Sequence, residues 1–181
     1  MNEKKDLRPN VVTFSTFIDA FCKQGMVNEA AKFFVDMKKR GITPNEFTFT
    51  SLIDGNFKAL NSRDALKMLD EMVDARVKLN IITYTALVDG LCKEGKMDEA
   101  EGVFKAMVKA GVVANQLIYT ALVHGHFRNH KTERVMDLVK EMKEKGHKPD
   151  LSFYGTIIWG LCNLGKLEEA ELLLTEIRMS G

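Results

Sequence analysis

The chain has 181 residues, 45% of them apolar, and its 26 Lys and Arg against 25 Asp and Glu leave a formal net charge of +1. A packed core is therefore within reach, no apolar run approaches the roughly 18 residues that suggest a membrane helix, and the bulk basicity usual for a nucleic-acid binder is missing. The opening segment, MNEKKDLRPN, shows neither an apolar signal core nor an Arg- and Ser-rich presequence. The chain is accordingly expected to be a mature form or a piece of a longer protein.

The sequence repeats with a period of 35. TFSTFIDAFCKQGMVNEA begins at Thr13, TFTSLIDGNFKALNSRDA at Thr48 and TYTALVDGLCKEGKMDEA at Thr83. IYTALVHGHFRNHKTERV and FYGTIIWGLCNLGKLEEA follow from Ile118 and Phe153. A fixed period in this range indicates a stacked array of supersecondary units. The repeats are numbered 11–45, 46–80, 81–115, 116–150 and 151–181, the last stopping at its thirty-first position, with 1–10 as the tail of a preceding repeat.

In chain order, repeat 1 places Phe14, Phe17, Ile18, Phe21 and Cys22 on one face of a helix A, then Ala30, Phe33, Phe34 and Met37 on a helix B. Gly25 stops the first helix, and Gly41 with Pro44 stops the second. Repeat 2 departs from this pattern. Asn56 and Leu60 replace an apolar residue and a Gly, and Arg76 and Leu79 replace Gly and Pro, so less regular helix ends are expected there. Repeat 3 restores it with Tyr84, Leu87, Val88, Leu91 and Cys92, then Ala100, Val103, Phe104 and Met107. Repeat 4 carries His126, His130 and Val135, which again predict less regular ends, before Gly146 and Pro149. Repeat 5 returns to Gly165 and Ala170. The expected architecture is all-α, a right-handed superhelical solenoid of stacked helix-turn-helix hairpins with about ten helices. Small residues at the sixth position (Thr16, Ser51, Ala86, Ala121, Thr156) are expected where neighbouring A helices meet.

The chemistry-bearing residues point away from catalysis. Cys22, Cys92 and Cys162 share a position that Phe57 and Phe127 fill elsewhere, which marks it as apolar core rather than a metal or disulfide site. His124 and His126 stand two apart and face different sides of a helix. Asp19, Asp54 and Asp89 recur singly, with no partner acid or nucleophile. No phosphate-binding Gly loop, H-E-x-x-H or nucleophile elbow occurs. The reading is a non-enzymatic chain with no metal and no cofactor.

The pattern V-T-[FY]-x-x-L-[IV]-D-G-[LF]-C-K-x-G-x-[MVL]-x-E-A, closed by M-x-x-x-G-x-x-P-[ND], resembles the pentatricopeptide repeat family over 11–181, in its plain 35-residue class. The resemblance implies single-stranded RNA gripped by the A helices, one base per repeat. It implies base selection by the fifth and thirty-fifth residues of each repeat: Ser15 with Asn45, Thr50 with Asn80, Thr85 with Asn115, and Thr120 with Asp150. In the family code these pairs predict 5′-AAAG-3′. It further implies base sandwiching by the second-position residues Val12, Phe47, Ile82 and Leu117, with Ser152 a weak fifth. Work in mitochondria or plastids, in RNA processing, stabilisation or translation, also follows from the resemblance.

From the residues alone, three alternatives stay open. Asn or Asp after a Pro loop is an ordinary helix N-cap. The second-position residues can equally be core at the start of helix A. Lys23, Lys58, Lys93 and Arg128, at the thirteenth position, suit either a phosphate backbone or the C-terminal end of a helix dipole. A rival of a different class is a protein-binding scaffold like the tetratricopeptide repeat. End-to-end self-association is expected through faces around Phe17, Phe21, Leu172 and Leu173, since no polar capping helix covers them.

Overall fold

The computed structural model describes residues 8–180. They form ten α-helices and, among the described residues, no strand: α1 (Val11–Lys23), α2 (Val27–Lys39), α3 (Glu46–Lys58), α4 (Ser62–Asp74), α5 (Ile81–Lys93), α6 (Met97–Lys109), α7 (Gln116–Arg128), α8 (Thr132–Glu144), α9 (Leu151–Asn163) and α10 (Leu167–Ser180). Odd-numbered helices are the A helices and even-numbered ones the B helices of the five repeats. The chain divides into two compact blocks, the first ending at Gly90 and the second beginning at Leu91, inside α5.

In the first block, α1 packs on α2 and on α3, and α3 packs on α4. Ala30 and Ala65 are fully buried, which lets each B helix lie close on its A helix. Phe14, Ile18, Phe34, Phe49, Leu52 and Ile53 fill the space between hairpins. The second block repeats the scheme with α7 on α8 and α9, and α9 on α10. Val135 takes the alanine position there and is also fully buried. Burial follows the 3.6-residue periodicity of the sequence, since each hairpin hides its apolar stripe against the next.

The expectation of less regular ends in repeats 2 and 4 does not hold. Helices α3, α4, α7 and α8 are each 13 residues long, like α1. Leu60, Arg76 and His130 adopt the left-handed conformation at φ 57°, 56° and 56°, where other repeats use glycine. The following N–H groups still close the helix end: Asn61 N donates to Asn56 O at 2.9 Å, and Lys131 N to His126 O at 3.0 Å. Packing on both sides of the hairpin holds a conformation that costs about 1–2 kcal/mol for a non-glycine residue.

Three further details differ from the sequence reading. Leu173 is buried, whereas Phe17 and Leu172 are exposed. Cys162 is exposed, unlike Cys22 and Cys92, because no later A helix among the described residues covers it. Asn56 and His126 occupy apolar positions and are buried. Asn56 survives burial by donating to Leu52 O at 2.8 Å, and His126 by its Nε2 contact with Glu101 Oε1 at 2.8 Å.

Candidate nucleic-acid interface

Each A helix starts at a thirty-fifth-position side chain. Asn10 and Asn45 are N-caps whose Oδ1 accepts from the backbone N–H of Thr13 and Thr48, and Asn115 and Asp150 do the same for Ile118 and Phe153. Asn80 accepts from Thr83 N at 2.9 Å. The cap therefore satisfies one orphan donor of each helix. It also fixes which end of the asparagine amide remains outward: the oxygen is used, and the Nδ2 donors remain.

Fifth-position hydroxyls lie next to these caps. Ser15 Oγ is 2.7 Å from Thr48 Oγ1, and Thr50 Oγ1 is 2.8 Å from Thr83 Oγ1. Thr85 instead donates to Ile81 O at 2.7 Å, and Thr120 to Gln116 O at 2.9 Å. Residues of the first position reach the cap as well. Asn80 Nδ2 donates to Glu46. Gln116 hydrogen-bonds Asp150, and with the Phe153 backbone N–H it holds the Asp150 carboxyl below its ordinary range. An acid thus faces an amide in both pairs, with the order reversed.

The second-position side chains are not core. Val12 is 65% exposed, Phe47 51%, Ile82 62% and Leu117 66%. Apolar groups thus recur at one repeat position, two residues past each cap, open to solvent.

The cations Lys23, Lys58, Lys93 and Arg128 all stand in the last turn of an A helix and are exposed. Lys23 Nζ pairs with Asp19 at 2.6 Å and Lys58 Nζ with Asp54 at 2.5 Å, one turn back. The Asp19 partner pushes the Lys23 ammonium up from its ordinary value. Asp19 also accepts from Ser51 Oγ of α3 at 3.2 Å, which ties neighbouring A helices at the sixth position as expected. In repeats 1 and 2 the ninth-position acids, read from sequence as lacking a partner acid or nucleophile, are the counter-ions of the thirteenth-position cations. In repeat 4 that position is His124, so Arg128 has no carboxylate one turn back.

Sequence reasoning missed two parts of this arrangement. One is the third-position hydroxyl of Thr48 and Thr83, whose only signal was the recurrence of Thr13, Thr48 and Thr83. The other is the tenth-position glycine. A Cβ on Gly90 would stand 2.2 Å from the Phe57 ring, and one on Gly160 2.5 Å from Phe127, so glycine there admits the twelfth-position side chain of the preceding repeat.

An all-α array of 35-residue hairpins with capped A helices defines a helical-repeat solenoid. The PPR repeat family matches residues 9–58, further PPR repeat matches cover 47–77, 75–108 and 152–181, and the pentatricopeptide repeat domain matches 107–163. This chain belongs to the pentatricopeptide repeat family. It is similar to the crystal structure of the pentatricopeptide repeat protein PPR10 from maize, with 27% identity and a TM-score of 0.81 over 95% of this chain and 25% of that one. The same maize protein in complex with an 18-nt psaJ RNA element gives the same identity and TM-score over 94% and 25%. The PPR domain of Arabidopsis thaliana protein-only RNase P 1, in complex with tRNA, is 15% identical with a TM-score of 0.77 over 92% and 88%, a likeness of fold. The chain spans about a quarter of the maize protein's length. No curated protein matches it.

Proposed function

We propose that this chain binds single-stranded RNA without catalysing a reaction, reading one base per repeat in the order 5′-AAAG-3′ from repeats 1 to 4. The observation that carries this reading is the recurrence, on successive A helices, of an exposed apolar second-position residue beside a capped thirty-fifth-position side chain. Val12, Phe47, Ile82 and Leu117 offer base faces a sequence-tolerant contact, worth about 1–3 kcal/mol per base for aromatic partners and less for aliphatic ones. Ser15 with Asn45, Thr50 with Asn80, Thr85 with Asn115, and Thr120 with Asp150 supply the hydrogen bonds to the Watson–Crick edge. An Asp150 carboxylate is acceptor-only and suits the ring N–H and amino donors of guanine. The thirteenth-position cations Lys23, Lys58, Lys93 and Arg128 contact phosphates, those held in ion pairs after release from their carboxylates. The maize relative's RNA complex supports the class of ligand. Work in a mitochondrion or plastid, on transcript processing, stability or translation, rests on family resemblance.

The test is binding of short RNAs containing AAAG against UUUC and against single-stranded DNA, at two salt concentrations. Preference for AAAG with a marked salt dependence is expected. The pair Thr85→Asn with Asn115→Asp is expected to move the third preference from A towards U, because the new amide and carboxylate change the donor and acceptor pattern while keeping the helix cap. Binding of peptides with indifference to RNA would replace this reading with the protein-scaffold one.

A further inference from the structure

Two repeats carry a buried hydroxyl that joins the base-reading side chains across a repeat boundary. Thr48 and Thr83 are fully buried. Thr48 Oγ1 donates to Asn45 Oδ1 at 2.9 Å and lies 2.7 Å from Ser15 Oγ. Thr83 Oγ1 donates to Asn80 Oδ1 at 3.1 Å and lies 2.8 Å from Thr50 Oγ1. Each chain of contacts therefore runs from a fifth-position hydroxyl, through the third-position threonine of the next repeat, to the thirty-fifth-position asparagine.

A threonine hydroxyl has one proton. With that proton on the asparagine oxygen, the threonine oxygen only accepts, so Ser15 and Thr50 must donate inward to it. Their own oxygens then keep only lone pairs, on Thr50 at a half-buried side chain and on Ser15 at one that is 2% exposed and must be uncovered for a base to reach it. The asparagine oxygen meanwhile holds both a backbone N–H and the threonine hydroxyl, at 3.0 and 2.9 Å in Asn45. Only its Nδ2 donors remain, and in Asn80 they already point at an acceptor, the Glu46 carboxylate.

We infer that Thr48 and Thr83 are positioning residues that fix the hydrogen-bond polarity of the first two repeats, the fifth residue as acceptor and the thirty-fifth as donor. This inference rests on the base-reading role proposed above for those two positions. An acceptor beside a donor complements the edge of adenine, which presents an amino donor beside a ring-nitrogen acceptor. Guanine and uracil present a carbonyl acceptor beside a ring N–H donor, the reverse order. Cytosine shares adenine's order, so the relay selects against guanine and uracil and leaves purine size to the surrounding stack. Repeats 3 and 4 supply an internal control. The third positions that follow them, in repeats 4 and 5, hold Ile118 and Phe153, without a hydroxyl, and Thr85 and Thr120 turn to carbonyls of their own helices.

The test compares the native chain with Thr48→Val plus Thr83→Val, which keeps shape and removes the hydroxyls, and with Thr48→Ser plus Thr83→Ser, which keeps them. RNAs carry A or G at each of the four read bases in turn. The valine pair is expected to lose about tenfold of the A-over-G preference at each of the first two bases, with bases three and four unchanged and the serine pair close to native. Full selectivity in the valine pair, or an equal loss at all four bases, overturns the inference. NMR spectra of the Asn45 and Asn80 side-chain amides give a readout without RNA. They are expected to shift in the valine pair and hold in the serine pair, and amides unmoved by valine also overturn it. If the native chain binds no RNA, the base-reading assignment fails, and the amide spectra alone decide whether the relay exists.

Discussion

Glycine 90 shows how one missing methyl group sets a repeat spacing. Its Cα faces the Phe57 ring so closely that an added Cβ would sit 2.2 Å from Cγ. Gly90→Ala gains helix propensity of up to about 1 kcal/mol but overpacks the contact by about 1–3 kcal/mol, so a net loss of stability is expected in denaturant melts. Gly102 in α6 has open space around it. Gly102→Ala is expected to stabilise by up to about 1 kcal/mol, and a matching loss there would remove the Phe57 contact as the cause of the loss at Gly90. The left-handed residues make a related case. Leu60→Gly, Arg76→Gly and His130→Gly each remove Cβ strain at a positive φ. Each is expected to raise stability by about 0.5–1 kcal/mol, the strain relief being offset in part by the greater freedom of glycine in the unfolded chain.

At the scale of elements, the junction of α6, α7 and α8 carries a partly buried charge cluster. Glu101 of α6 accepts from Arg134 of α8 at 2.8 and 3.0 Å and contacts His126 Nε2 of α7 at 2.8 Å. Burial by itself raises the Glu101 carboxyl, but the hydrogen bonds and charges of His126 and Arg134 overcome it and hold the group at about 2, against an ordinary 4.5. A carboxyl depressed on folding contributes its stability above its unfolded value and loses it as pH falls. The contribution is therefore complete above about pH 5 and fades between about 4.5 and about 2. Its size is about 3 kcal/mol from the shift alone. Glu101→Gln is expected to cost a similar amount at neutral pH and to flatten the acid limb of the stability curve. An unchanged acid limb would mean that other carboxylates control it.

For the whole molecule, pairing reconciles the near-neutral net charge with the proposed RNA binding. Lys23 and Lys58 lie within 2.6 and 2.5 Å of Asp19 and Asp54. Such exposed i,i+4 pairs contribute little to stability, so a phosphate can displace the aspartate at small cost. Asp19→Asn with Asp54→Asn is expected to tighten binding of an AAAG-containing RNA several-fold at low salt and to steepen its salt dependence. Unchanged affinity at both salt concentrations would remove these two lysines from the phosphate contacts.

The sequence by itself determined the period, the ten helices and the family. Apolar spacing of 3.6 and the Gly and Pro stops are local properties, legible one repeat at a time. It also offered the helix cap as one reading of Asn45 and Asp150, beside base selection. Tertiary structure alone decided what depends on the neighbouring repeat. Whether Val12, Phe47, Ile82 and Leu117 are core or surface turned on where the adjacent hairpin lies. That Leu60 and Arg76 could stand in for glycine turned on packing strong enough to hold a strained φ. The relay through Thr48 and Thr83 joins residues 33 apart, and the D-G pair divides its work between a lysine one turn on and an aromatic ring one repeat back. Local propensity reports on a residue and its own helix, whereas these contacts are made between helices that only stacking brings together.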